Sequence, residues 1–391
     1  MATDAPPRRR DQFHVLTLTP FYPTADDDAQ GCFVAEPLLW VGKLAVRNTV
    51  AAVQPLYRGR IRAASSGVPA RWHHYLAVPG GLGLATAGAL LYTSILAQVR
   101  RLHREHAVDV IHAHAALPCG HAAALLSREL GIPFVVTVHG LDAFSSNQVK
   151  GLAGQWCERV SRWVYRSAGQ VICVSEKVRE RVLQGAAPLK STVIYNGVDP
   201  EMFSPDESSV ASSVVLSVGN LIPVKGHEQL LRAFAAISDR HPRATCVVIG
   251  DGPERSGLGR LAGELRIASE VRFLGRQSRS QVARAMRGAA VFVLPSRYEG
   301  LGCVYLEAMA AARSVIACQG QGIEEIVQHG VNGWLTRPGD LGELTSALDA
   351  LLQDHEMRRR MGELARRTIL HGLTLAHMAE RLVRVYQECR G

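Results

Sequence analysis

Short apolar runs rich in β-branched residues alternate along the chain with longer stretches of helical spacing. Seven of the runs stand out: FHVLTLT at 13–19, VDVIHAH at 108–114, PFVVTVH at 133–139, QVICVS at 170–175, SSVVLSVG at 212–219, ATCVVIG at 244–250 and AAVFVLPS at 289–296. Runs this short and apolar read as strands buried on both faces. Their alternation with helical stretches predicts β-α-β units, hence parallel sheets covered by helices. The runs fall into two sets. Between them, STVIYNGVDPEMFSPDESS (191–209) passes from a short strand through Asn-Gly, two prolines and a polar run, which reads as an inter-domain link. The boundary is placed near Phe203, giving an N-terminal domain over 1–203 and a C-terminal domain over 204–371. No fixed-period repeat appears in either half. The expected fold class is therefore α/β, with two Rossmann-like parallel-sheet domains facing across a cleft, and ligands belong in that cleft.

Composition narrows the class without choosing a function. A chain of 391 residues with 47% hydrophobic, 20% charged and 6% aromatic residues is globular and too long to be a small stapled scaffold. A net charge of +9 is compatible with an anionic partner but draws no nucleic-acid footprint. The eight cysteines are dispersed, with no C-x-x-C pair and no zinc spacing, which suits a reducing cytoplasm. The opening MATDAPPRRR lacks the apolar run of a secretory signal and reads as a tail. The uncharged stretch from Leu76 to Val99 is long enough to span a bilayer. Its Pro79, Gly80 and Gly81, and the Thr, Ser and Ala that follow, favour a buried or surface helix instead.

The densest chemical signal is SRYEGLGCVYLEAMA (296–310), where a strand ends and a helix begins. Glu299 and Glu307 are acceptors for paired sugar hydroxyls, while Gly300 and Gly302 let backbone approach a ligand near the positive helix end. Alone, an acidic pair at this spacing suits a solvated strand-helix loop better, with Glu299 on the surface and Glu307 in a helix. The same half carries SVGNLIPVKGHEQLLRAF (217–234), in which Lys225 precedes a helix and can neutralise a diphosphate leaving group. ACQGQGIEEIVQHGVNGWL (317–335) adds a third strand-end turn at Gly320 and Gly322, then a glycine-punctuated hairpin at Gly330 and Gly333. In the first half, strand 133–139 ends in His139-Gly140, and Gly31 precedes a helix after the first strand. A lone loop lysine is usually solvated and a lone strand-end histidine is more often structural, so context has to decide. Asp26, Asp27 and Asp28 are consecutive and diverge, which makes a solvated loop and not a metal site.

In this order the motifs resemble those of the retaining, nucleotide-sugar-dependent glycosyltransferases of family 4, with the GT-B fold. The likeness runs over nearly the whole chain: Gly31, D-V-I-H-A-H at 109–114, V-T-V-H-G at 136–140, V-I-Y-N-G-V-D at 193–199, K-G at 225–226 and E-G-x-G-x4-E at 299–307. The resemblance implies that Glu307 binds the nucleotide ribose, Glu299 the donor sugar hydroxyls, Lys225 the diphosphate, and His139 the sugar near the reacting carbon. Gly31 would lie against the phosphate, and Gly219, Asn220, Gly300, Leu301 and Gly302 would line the donor site. It further implies front-face attack, with a leaving-group oxygen taking the acceptor proton and no metal or cofactor required. Two positions depart from the family pattern. Asn220 stands where the family usually has Arg, and Leu301 where it usually has Phe.

The implied partners are a nucleotide sugar as donor and a glycan or lipid-linked acceptor, in bacterial envelope or exopolysaccharide synthesis. Nucleic acid is not among them. A GT-B sugar-nucleotide epimerase and a binding protein without turnover are the alternatives; the acidic pair argues against the first, and only Asn220 favours the second. From Pro37 to Arg104 the chain has no Asp or Glu but nine cations: Lys43, Arg47, Arg58, Arg60, Arg62, Arg71, Arg100, Arg101 and Arg104. This 37–104 segment, interleaved with aromatics, would seat a cytoplasmic protein peripherally on the anionic inner face of the plasma membrane; cations on ordinary outer helix faces are the equal alternative. The terminal LAHMAERLVRVYQECR (375–390) reads as an amphipathic helix, and the segment 372–391 is expected to pack back on the first domain.

Overall fold

The computed structural model describes residues 12–390 apart from 60, 63–66, 80, 144–148, 188 and 207–212. The N-terminal tail, Arg60 and the end of the proposed link lie outside the described residues. Among the described residues the chain forms two compact units. One comprises the chain through Val174, Val178–Ile194 and the chain from Ala379; the other comprises Ser175–Lys177 and Tyr195–Met378.

The first unit runs β1 (Phe13–Thr19), α1 (Cys32–Lys43), β2 (Val46–Pro55), β3 (Ala70–Tyr75), α2 (Gly81–Glu105), β4 (Val110–His114), α3 (His121–Leu130), β5 (Phe134–Val138), α4 (Gly151–Ser167), β6 (Gln170–Cys173), α5 (Glu176–Ala186) from its third residue on, and β7 (Ser191–Val193). Its strands make one sheet in the order β3-β2-β1-β4-β5-β6-β7, parallel throughout. β4 and β5 are buried at every position, as their unbroken apolar runs require when helices cover both faces.

The second unit runs β8 (Val214–Val218), α6 (His227–Ala235), β9 (Thr245–Ile249), α7 (Arg255–Glu264), β10 (Val271–Gly275), α8 (Arg279–Gly288), β11 (Val291–Val293), α9 (Cys303–Ala310), β12 (Ser314–Cys318), β13 (Trp334–Thr336), α10 (Leu341–Gln353), α11 (His355–Leu370) and the start of α12 (Leu375–Arg390). The sheet order is β10-β9-β8-β11-β12-β13, again all parallel. Its core joins Val215, Leu230, Phe234, Val248, Val291 and Ile316 to Leu344 and Leu348 of α10. Phe203 is fully buried in this unit, with the Arg279 guanidinium 4.9 Å over its ring.

The two-sheet reading from periodicity matches this architecture. The hairpin expected at Gly330 and Gly333 does not form. Gly330, at φ 75°, makes a tight turn closed by its amide on the Gly333 carbonyl (2.9 Å), and the chain then enters β13 parallel to β12. Glycines punctuate a turn of either outcome, so they could not report strand direction. The stretch 76–99 contributes most of α2, and among the described residues no helix is long and apolar enough to cross a membrane. No disulfide joins any of the eight cysteines.

Candidate active site

In each sheet the chain starts near the middle, moves outward in one direction, then returns and moves outward in the other. β8 and β11 are the central neighbours of the second sheet, and β1 and β4 those of the first. Loops leaving the carboxyl ends of such a strand pair diverge, and the opening between them is where α/β sheets bind ligands. The loop after β8 carries Asn220 and Lys225; the loop after β11 carries Glu299.

Pro223–Lys225 form one 3-10 turn, ended by Gly226 at φ 73°, and α6 begins at His227. A side chain at 226 would put its Cβ 2.2 Å from the Pro295 carbonyl oxygen. Glycine is needed there on both counts, and the close approach ties the lysine loop to the end of β11. The Arg297 amide, donating to the Val224 carbonyl at 2.8 Å, completes the tie. Lys225 Nζ consequently donates to Glu299 Oε1 at 2.6 Å, and Ser296 Oγ donates to the same oxygen at 2.9 Å. Glu299 and Ser296 are buried. The Glu299 backbone is pinned as well: its amide donates to Gln321 Oε1 (3.0 Å) and its carbonyl accepts from the Gly322 amide (3.2 Å). A carboxylate, an ammonium and a hydroxyl held this way can bind hydroxyl and phosphate groups side by side.

Gly302, at φ 88°, opens α9, with Gly300 and Leu301 buried beside it; the Gly300 carbonyl accepts from Ser175 Oγ at 2.6 Å. Glu307 lies further along α9 and is buried, its Oε1 2.5 Å from Arg279 Nη1. Arg279 is the first residue of α8, a helix set by a capping box between Ser278 and Gln281. Gly219 donates its amide to the Ile249 carbonyl (2.9 Å), and Asn220 is exposed. The structure thus joins Lys225 with Glu299 directly and engages Glu307 with a buried arginine.

Gly31 and His139 belong to the first unit. Gly31 takes φ 68° at the start of α1, where a Cβ would fall 2.4 Å from the Phe21 carbonyl carbon. Phe33 of α1 and Phe21 of the β1 loop both pack against the His139 ring, at 4.8 and 5.8 Å between centroids. The Asp142 carboxylate accepts the His139 amide at 2.9 Å, and His139 Nε2 lies 3.0 Å from His114 Nδ1. Burial pushes the His139 imidazole down to about 3, so it is neutral at physiological pH. Burial pushes the Asp142 carboxyl up to about 6, against the pull of nearby amides including that of His139.

The structure adds residues to which the sequence reading gave no role: Ser296, Gln321, Arg279, Asp142 and His114. Only His114 had a visible signal, since V-I-H-A-H and V-T-V-H are neighbouring strands that both end in histidine. Among the described residues no His, Cys, Asp and Glu cluster has metal-holding arrangement. Asp27 Oδ1 accepts the Ala29 and Gln30 amides and Asp26 lies 3.9 Å from Arg62, so the Asp triplet builds a local turn. The described cations of 37–104 are spread over α1, β2, β3, α2, a 3-10 turn at Leu56–Arg58 and, for Arg62, the loop before β3. Arg100 pairs with Glu129, Arg101 with Glu105, and Lys43 lies over Trp40.

Comparison with known proteins decides the class. The family described as Glycosyltransferase Family 4 matches residues 8–202, and Glycosyl transferases group 1 matches 200–368. An uncharacterized glycosyltransferase of Methanocaldococcus jannaschii, MJ1178, is 32% identical over 66% of this chain and 69% of its own. The chain belongs to glycosyltransferase family 4. This family 4 glycosyltransferase is also 29% identical to the alpha-D-kanosaminyltransferase of Streptomyces kanamyceticus, over 79% of this chain and 84% of that one. Its fold is GT-B: Anabaena Alr3699/HepE, solved in complex with UDP and glucose, superimposes with a TM-score of 0.77 at 20% identity, covering 95% of this chain and 99% of the other.

Proposed function

We propose that this glycosyltransferase moves a hexose from a nucleoside diphosphate sugar to a glycan or lipid-linked acceptor, with retention at the anomeric carbon, in bacterial envelope or exopolysaccharide synthesis. The observation that carries the reading is the Lys225–Glu299–Ser296 cluster, held by two loops that leave the switch-point strands β8 and β11. The UDP and glucose in the Anabaena structure make UDP-hexoses the first donors to test.

In this reading Lys225 shifts from Glu299 toward the diphosphate, and Glu299, still held by Ser296 and Gln321, accepts from sugar hydroxyls. Glu307 binds the ribose, and Gly219, Asn220, Gly300, Leu301 and Gly302 line the donor. Gly31, at the start of α1, offers backbone to phosphate. The bond from the anomeric carbon to the diphosphate oxygen breaks, and negative charge grows on the leaving group. Lys225 and loop amides stabilise it; preorganised donors of this kind contribute about 3 kcal/mol each. The acceptor oxygen bonds to the same face of that carbon, its proton passes to a leaving phosphate oxygen, and the nucleoside diphosphate departs. His139, neutral through burial, orients the sugar by hydrogen bonding and adds no charge beside the developing cation. The basic 37–104 segment offers exposed Arg47, Arg58 and Arg71, which make no ion pair among the described residues, to an anionic bilayer surface.

The test is a panel of nucleoside diphosphate sugars incubated with the parent protein, with nucleoside diphosphate release as the readout. One donor is expected to support release that Glu299→Gln slows at least about a hundredfold. Release as fast in Glu299→Gln as in the parent, or from none of the panel, overturns the reading.

A further inference from the structure

β4 and β5 pair in parallel with His114 opposite Thr137, so the carboxyl ends of these strands bring His114 beside His139, two positions beyond that threonine. The two ring planes lie 13° apart, with centroids 5.3 Å apart and His114 Nδ1 3.0 Å from His139 Nε2. Burial holds both imidazoles well below their ordinary value, His114 being lowered further by His112 and His139, so two neutral rings share this contact.

Two neutral imidazoles carry two ring N–H groups over four nitrogens, and one N–H must lie between Nδ1 and Nε2. If His114 donates it, His139 keeps its own proton on Nδ1 and offers a donor there. If His139 donates it, its Nδ1 is a bare acceptor. Both His139 Nδ1 and His114 Nε2 are buried without a hydrogen-bond partner among the described residues. Among the described residues, Phe21 and Phe33 flank the His139 ring, and Asp142 takes its backbone amide. Behind His114 stands His112, 4.3 Å away between centroids, its nitrogens engaged by the Tyr386 hydroxyl and Thr137 Oγ1 at 2.7 Å each. Among the described residues, His114 is therefore the polar partner of the His139 ring.

We propose that His114 is a positioning residue for the transfer reaction: through Nδ1 it selects the tautomer of His139 and orients the ring so that His139 Nδ1 faces the donor sugar. The inference rests on the reading of His139 as the sugar-orienting group, and it predicts how that residue is controlled.

The first test uses the parent protein without ligand. Nitrogen-15 NMR of the ring nitrogens near neutral pH is expected to show His139 as one tautomer; a rapid mixture of both overturns the proposal. The second separates the hydrogen bond from the ring. His114→Asn keeps a polar group at the Nδ1 position, and His114→Phe keeps the ring alone. Asn is expected to retain kcat within about threefold, and Phe to lose at least about tenfold in kcat with a smaller change in donor KM. The double variant His114→Phe/His139→Ala should be no slower than His139→Ala alone, because the first residue acts through the second. Full additivity, or equal losses in Asn and Phe, contradicts the positioning role. If His139→Ala turns over like the parent, the assignment of His139 fails instead.

Discussion

Lys225 and Glu299, 74 positions apart in sequence, meet at 2.6 Å between Nζ and Oε1, at the ends of loops from adjacent strands of one sheet. With side chains only 20% and 10% exposed, the pair is largely withdrawn from water. Removing one member leaves the other charge partly buried, whereas replacing both with apolar groups removes the conflict. Lys225→Ala and Glu299→Ala are therefore each expected to destabilise the protein by about 1–3 kcal/mol. The double variant Lys225→Met/Glu299→Leu should recover most of that loss in urea denaturation while staying inactive in nucleoside diphosphate release. Recovery of activity together with stability would show that the pair serves the fold alone.

Arg279 and Glu307 form the more deeply buried pair, at 11% and 4% side-chain exposure. Arg279→Met should cost about 3–5 kcal/mol in stability, the range for an ion that loses its partner inside a protein. Arg279→Lys should restore part of the stability and of the donor KM, since lysine supplies the charge without the planar fork. Equal KM in the Met variant and the parent would separate Arg279 from donor binding.

Stability should fall on acidification. The His112 and His139 imidazoles, pushed down to about 3 by burial, take up a proton in the unfolded chain near the ordinary 6.5 but not in the folded one. The unfolded state then binds more protons between those values, so stability is complete above about 6.5 and is lost as pH falls below it. Asp142, raised to about 6, works the other way, holding a proton in the folded state that the unfolded chain has lost, but it is one group against three histidines. At about pH 5, His112 alone should cost about 2 kcal/mol. Urea midpoints across this range test the sign, and His112→Asn, which keeps a hydrogen-bonding group near Tyr386, should flatten the dependence.

Gly226→Ala should lower stability by at least about 1 kcal/mol, because a non-glycine residue must hold φ 73° with its Cβ against the Pro295 carbonyl. Activity should drop further than stability, since the same turn aims Lys225. The contrasting control is Gly263→Ala within α7, where a Cβ meets nothing within 4 Å. There stability should hold or rise.

Much of this architecture was legible because buried parallel strands announce themselves as apolar runs, and the seven runs quoted from sequence coincide with β1, β4, β5, β6, β8, β9 and β11. β2, β3, β10 and β13 escaped for physical reasons. β3, ARWHHY, is an edge strand with one buried residue, β2 and β10 carry arginines on exposed positions, and β13 has only three residues. Lys225 and Glu299 could be placed as loop residues at strand ends, because strand-loop-helix order is written locally. The Arg279–Glu307 and His114–His139 pairings join residues 28 and 25 positions apart, and no local pattern encodes which partner a buried charge or imidazole finds.

The central claim is that Lys225 grips the diphosphate of the donor. The most direct measurement is calorimetric titration of UDP, and of uridine alone, into the parent protein and a folded Lys225→Ala variant. The account predicts that the variant binds UDP at least about tenfold more weakly, the loss of a charge-assisted contact, while uridine binds both alike. UDP binding of equal strength in the two proteins would contradict it.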